Sequence, residues 1–215
     1  MSPDTRIYSN SGLYLERPDL LYAAVDGVND VRILQGKVPC HYSGNNEERR
    51  FISYTEEFSN NKKRRQVDAD ALAFILDSES GLYRPAATNL IFTDRDLYYE
   101  GSDYAVGLTF SDKNISIQSI YRIIKATKNE VLQKEAVRCI ARRGYATLVG
   151  LTKSEDYVTP CVVDGVPRAD CSKEDCTMHQ LSSVDEILNL VESPFYQDNI
   201  AGLCLDCAKS LIIKS

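Results

Sequence analysis

Histidine is almost absent from this chain: its 215 residues include only His41 and His179, and neither has another histidine four residues away. That scarcity excludes a helix carrying two imidazole ligands one turn apart, the arrangement with which H-E-x-x-H hydrolases hold zinc. Also missing is any stretch approaching the roughly 20 apolar residues of a membrane-spanning helix, and Met1 to Arg6 lack the apolar run of a secretory signal. A cytoplasmic protein without a membrane partner is therefore expected. Surplus positive charge is lacking too. A net charge of −6 argues against a general nucleic-acid binder, which displaces counterions from phosphates with excess Lys and Arg. Internal repeats and low-complexity tracts are absent as well.

What remains is an ordinary globular composition, 43% hydrophobic and 26% charged with 13 tyrosines. The length suits one domain spanning 1–215. Leu20-Leu21-Tyr22 and Val31-Arg32-Ile33-Leu34, split by Gly, Asn and Asp, suggest a strand or two with turns. The polar stretch 41–65, with Ser43-Gly44-Asn45-Asn46 and Asn60-Asn61, reads as a surface excursion. Val67, Ala71, Leu72, Ile75 and Leu76 recur at helical spacing over 66–76, with Asp68 and Asp70 near the positive end of the helix dipole. Residues 89–93, 104–110 and 114–120 read as strands of one sheet. The spacing over 129–151 predicts the longest helix, weakened by Gly144 in its second half. Residues 152–183 look like a cysteine-bearing loop. Short helices are expected over 184–191, begun by Ser183, and over 208–213. The pattern is α/β or α+β, a sheet covered by helices.

Seven cysteines in a reducing compartment point to metal more than to disulfides. Cys171 and Cys176 form one close pair, Cys204 and Cys207 another, and two such pairs suit a tetrahedral ion with four thiolates. One structural Zn2+ is the expected cofactor, with no small-molecule cofactor. Such a closed site leaves no open position for water or substrate, so it holds the fold together and does no chemistry. Cys40, Cys139 and Cys161 read as core or surface thiols. Basic residues gather twice, as Lys62, Lys63, Arg64 and Arg65 beside Arg49-Arg50, and as Arg138, Arg142 and Arg143. The plain reading of the first run is a solvated loop.

The order Cys171-x-x-x-x-Cys176-Thr177-Met178 and then Cys204-x-x-Cys207 resembles the C-terminal signature of the archaemetzincin metallopeptidases. Thr93-Asp94-Arg95-Asp96-Leu97-Tyr98 is similar to that family's T-D-x-D-L-Y segment, 104–110 and 115–122 to its paired central strands, and Lys134-Glu135-Ala136 to the start of its active-site helix. The resemblance covers 66–213; residues 1–65 have no match in it. It implies a metzincin-like twisted mixed sheet with covering helices, an active-site helix, and a Met-containing turn at Met178 under the metal. The family motif H-E-x-x-H-x-x-G-x-x-H is broken here. Aligned on Lys134-Glu135-Ala136, its His, Glu and His positions hold Arg138, Cys139 and Arg142; aligned on Gly150-Leu151, they hold Arg143, Gly144 and Thr147. The third ligand position is Asp170, and the segment from Gly150 to Cys171 is longer than the family spacing.

A guanidinium has no lone pair to donate and repels a dication. The expected protein therefore has no catalytic residues: a pseudo-metallopeptidase that binds through its former cleft or a basic patch. Arg138, Arg142 and Arg143, or Lys62 to Arg65, would meet a carboxylate or phosphate of a protein or ribonucleoprotein, with a ribosome-type assembly as one such partner. Two other readings stay open. One is an active metallopeptidase with the non-standard ligands His41, Asp170 and His179. The other is a structural subunit whose cleft is filled by its own residues 40–65.

Overall fold

The computed structural model describes residues 4–78, 87–100, 102–151, 158–163, 166–171, 173–179, 181 and 183–213. In chain order these form β1 (Thr5–Ser9), α1 (Ser11–Glu16), α2 (Pro18–Leu34), α3 (Asn46–Phe58), β2 (Asn60–Asn61), β3 (Gln66–Asp68), α4 (Ala69–Ser78), β4 (Thr88–Thr93) and β5 (Leu97–Tyr98). There follow β6 (Gly107–Phe110), β7 (Ile115–Ser119), α5 (Tyr121–Ala126), α6 (Glu130–Leu148), β8 (Val158–Val163), β9 (Val166–Cys171), α7 (Val184–Glu192), α8 (Pro194–Asp198), a 3-10 turn (Ile200–Gly202) and α9 (Leu205–Ile213).

The main sheet has the order β1-β4-β7-β6, parallel except for β6, which runs antiparallel along its edge. Strand alternation decides what covers each face. Ile7, Leu90 and Phe92 point into a core shared with α2 and α6, whereas Tyr8, Ile91, Ile115 and Ile117 point into one shared with α3 and α4. Helices therefore lie on both faces. On the α6 side β7 presents Ser116 and Gln118, both buried and polar, and this polar strip underlies the candidate cleft. β2, β3 and β5 make a second small sheet, and β8 and β9 pair as a hairpin.

Three expectations are corrected. Residues 18–34 are one helix: Leu20, Leu21, Ala24, Val28 and Val31 recur at helical spacing, Pro18 occupies the first turn and Asp19 faces the dipole. The 41–65 stretch contains α3, whose Asn45 and Glu48 form a reciprocal capping box and which buries Ile52, Thr55 and Glu56. It packs against α1, β1, β3 and α4, while the main partners of α6 are α2, α7, β6, β7 and β4, so α3, the ordered body of the 40–65 stretch, is not among the elements packed on α6. Part of the expected loop 152–183 is the β8–β9 hairpin. The helix over 66–76 begins at Ala69 after β3; those over 129–151, 184–191 and 208–213 appear as α6, α7 and α9.

Gly27 explains why a glycine sits inside α2. A Cβ there would lie 2.5 Å from the Arg138 backbone oxygen of α6, closer than any real contact. Gly27→Ala should therefore push the two helices apart and cost about 1–3 kcal/mol despite the better helix propensity of alanine. A urea midpoint checks it, and an unchanged or raised midpoint would contradict the close crossing.

Candidate functional site

Four cysteines from three segments meet in the core. Cys171 ends β9, Cys176 lies in the turn that follows, Cys204 precedes α9 and Cys207 sits in its first turn. All four are at most 4% exposed, and their sulfur atoms lie within 4.8 Å of one another. Cys171 Sγ and Cys204 Sγ are 3.7 Å apart; a tetrahedral ion with metal–sulfur bonds of about 2.3 Å sets its sulfurs roughly 3.8 Å apart. Backbone N–H groups of Met178 and Cys204 point at Cys176 Sγ, and that of Lys173 at Cys171 Sγ, which suits thiolates. Hydrogen bonds from Cys176 and Cys207 hold the Cys171 thiol far below its ordinary value, and the same bonds, with burial, raise both donors. The donor set fits one Zn2+, which would be held by four sulfurs with no open position. Among the described residues it is the one group of metal-ligating side chains.

Beside this centre, Met178 is buried and its turn is bound to α6 and to the 3-10 turn. Thr177 donates from N and Oγ1 to the Gly202 carbonyl. The Arg143 guanidinium of α6 donates to the carbonyls of Thr177 and His179, on either side of Met178. His179 Nδ1 is engaged with the Cys171 carbonyl at 2.8 Å, and His41 is exposed on the connection before α3. Asp170 lies in β9, adjacent to Cys171.

Of the two alignments, the one on Gly150-Leu151 faces the sheet edge. Arg143, Gly144 and Thr147 line a cavity of about 60 Å3 with Gly107 and Thr109 of β6 and Gln118 of β7. Gln118 fills the space that Gly144 and Gly107 leave: a Cβ at Gly144 would meet its Nε2 at 2.7 Å, and one at Gly107 its Oε1 at 1.9 Å. The amide is anchored to Ser116 Oγ at 2.7 Å, which in turn bonds Thr109 Oγ1 at 3.0 Å. Sequence reasoning missed Gln118, because nothing in β7 alone shows that it passes beneath Gly144.

Arg138 and Arg142 point the other way, towards α2. Asp30 receives Arg142 Nε and Nη2 at 2.8 and 2.7 Å and Arg138 Nη2 at 3.1 Å; Arg138 also bonds Glu135, and Arg142 the Tyr196 hydroxyl. The carboxylate sought in a partner is thus supplied by the chain itself. The three arginines do not form one cationic cleft. Lys62, Lys63, Arg64 and Arg65 sit apart from them, exposed in the turn between β2 and β3. Burial raises the thiol of Cys40 and pushes that of Cys139 to about 11, leaving neither a nucleophile.

The Thr93 to Tyr98 segment serves the fold. Asp96 takes a bidentate bond from Arg122, Tyr98 bonds Asp68, and Asp94 accepts Asn10 Nδ2 at 2.6 Å. That same amide reaches Glu56 Oε2 at 2.9 Å and Thr93 Oγ1 at 3.1 Å, while Glu56 Oε1 is buried without a partner. Burial, with Asp94 nearby, raises the Glu56 carboxyl to about 7 against the hydrogen bonds from Thr93 and Asn10. The folded state then holds a proton that the unfolded chain releases near 4.5. Stability should fall by about 3 kcal/mol as pH rises from 4.5 to 7, and this component should level off above 7. Denaturant midpoints across that window check it, and Glu56→Gln should flatten the fall; an identical slope in the variant would refute the assignment.

A parallel-stranded sheet with one antiparallel edge strand, a long helix behind that edge and a Met-bearing turn beneath the helix define a metzincin-type fold, here closed by a four-thiol metal centre. It is the fold of the archaemetzincins. The chain is similar to the archaemetzincin of Methanopyrus kandleri at 18% identity and a TM-score of 0.63, covering 98% of this chain and 94% of that one. It is similar to the archaemetzincin of Archaeoglobus fulgidus complexed with malonate, at 15% identity and a TM-score of 0.60, and to a zinc-dependent peptidase from Methanocorpusculum labreanum, at 14% and 0.58; each alignment covers 96% of this chain and 99% of the other. No family model and no curated protein matches the sequence. At these identities the likeness is one of fold. The expected mixed-sheet architecture is borne out.

Proposed function

We propose that this chain is a non-catalytic, zinc-stapled member of the metzincin-fold proteins that docks on a larger partner. The observation that carries the reading is the filling of the cleft: where a hydrolase of this fold needs two imidazoles and a carboxylate, α6 offers Arg143, Gly144 and Thr147, and Gln118 occupies the space at Gly144. Arg143 is spent on the carbonyls flanking Met178. A guanidinium there neither ligates a cation nor tolerates one beside it. The faces left for docking include the β6 edge, whose outer backbone groups have no strand beside them among the described residues, and the exposed basic turn between β2 and β3. A ribonucleoprotein such as the ribosome is the partner class that reconciles an acidic chain with a local basic turn.

Metal analysis of the purified chain, paired with a peptide-library digest, tests this. One zinc per chain and no cleavage above buffer are expected. Two metals per chain with chelator-sensitive hydrolysis would establish the active alternative with non-standard ligands.

A further inference from the structure

The turn between β2 and β3 is a built structure. The Asn61 side chain accepts the backbone N–H groups of Lys63 and Arg64 at 3.1 and 3.3 Å, and the Asn61 carbonyl accepts that of Arg65 at 2.7 Å. Arg65 adopts a left-handed backbone with φ of 57°, uncommon for a residue with a side chain and maintained here by those bonds. Arg64 stacks over Tyr98 at 4.8 Å and donates to the Ser102 carbonyl at 2.9 Å. Lys62, Lys63 and Arg65 stand exposed around it, and among the described residues none of the four cations makes an ion pair.

The helix leading into this turn carries a matching feature. Arg50, Tyr54 and Phe58 fall at successive i, i+4 positions on one face of α3. Tyr54 is 57% and Phe58 68% exposed, and their ring centroids lie 4.6 Å apart. Core packing does not explain two large exposed aromatics. From Arg50 to Arg65 there are five cations and two glutamates, and one glutamate, Glu56, is buried, within a chain of net charge −6. Along the chain, positive charge is therefore concentrated in the same short segment as the aromatic pair, while Asp68, Asp70 and Glu100 share a cavity with Arg64 on one side of the turn.

We infer that the Tyr54–Phe58 pair and the Lys62–Arg65 turn form a binding site for single-stranded nucleic acid, with bases stacked on the rings and phosphates on the turn. Cations that track a backbone beside aromatic rings that take any base are the two elements of such sites. A membrane surface fits less well, because exposed Glu57 shares this end of α3 and two aromatics make a small apolar face. The inference rests on the reading of the chain as a docking protein, and gives that partner its chemistry.

Fluorescence anisotropy of a labelled 12-nucleotide uridylate RNA on the full zinc-loaded chain tests it, alongside the DNA counterpart, a duplex of equal length and phosphatidylserine vesicles. Binding that weakens with salt is expected, single strands above duplex. Lys62→Glu with Lys63→Glu should weaken it more than tenfold and lower the salt slope. Tyr54→Ala with Phe58→Ala should weaken it about tenfold while leaving that slope unchanged. Zinc content and thermal midpoint verify that each variant is folded. Absent binding at low salt, affinity unmoved by either pair, or tighter capture by vesicles than by RNA overturns the inference. A chain that cleaves peptides sinks the docking reading whatever the oligonucleotides do; one that neither cleaves nor binds RNA sinks this inference alone.

Discussion

Cys204→Ser should release the zinc and lower stability by roughly 4 kcal/mol or more, the scale on which loss of a structural metal acts. The size follows from what the four sulfurs hold. Cys204 and Cys207 anchor α9, which packs on α2, and Cys171 and Cys176 anchor the end of β9 and the Met178 turn. All four cysteines belong to the core that also contains Leu203, Leu211 and the buried face of α2. Without the ion, four buried thiols would face one another with no dication between them, and the turn would keep only hydrogen bonds, to the Cys171 backbone, Arg143, Ala201 and Gly202. Zinc content by mass spectrometry and thermal midpoints with and without chelator measure the effect. Chelator should lower the midpoint of the parent chain and leave that of Cys204→Ser unmoved. Cys40→Ser is the control, a half-buried cysteine outside the cluster that should keep one zinc per chain. A Cys204→Ser protein with full zinc and an unshifted midpoint would remove the metal centre from this account.

Local signals carried the parts of the fold that were legible in the sequence. The periodicity of α6 with its Asn129 cap, and Ser183 before α7, are written within a few residues of each other. The four cysteines were legible for the same reason, since pair spacing is a local property. The misread parts had their reasons elsewhere in the chain. Gly27, Asn29 and Asp30 look like breakers in α2, yet Gly27 admits the α6 backbone, Asn29 bonds Cys40 from both ends of its amide, and Asp30 serves arginines more than 100 residues away. Two signals were available and missed: Asn45 with Glu48 is a capping-box pair, and Asp164-Gly165 between valine-rich runs is a hairpin signal. The cleft was legible only as a broken motif. That Gln118 would fill it, and that Arg138 and Arg142 would turn away from it, depends on which face of α6 meets the sheet.

Asp30→Asn tests that turning away, and should cost about 3–5 kcal/mol, the range for breaking a buried ion pair by removing one partner. Arg142 is 6% exposed at its side chain and places two nitrogens on one Asp30 oxygen, with Arg138 on the same carboxylate. An amide in its place presents a carbonyl oxygen to one arginine and an NH2 to the other, leaving two guanidinium charges to share Glu135 and the Tyr196 hydroxyl. Arg142→Met alone should cost less, because the remaining carboxylate is 25% exposed and still meets Arg138. The double variant should then be more stable than the sum of the two losses predicts, by a coupling of 0.5–3 kcal/mol in the range typical of residues in one network. Urea midpoints give all three values, and zinc content should stay at one per chain throughout, since neither residue is a ligand. If Asp30→Asn shifts stability by less than about 1 kcal/mol, the arginines are not held by α2, and their charge is available to a partner after all.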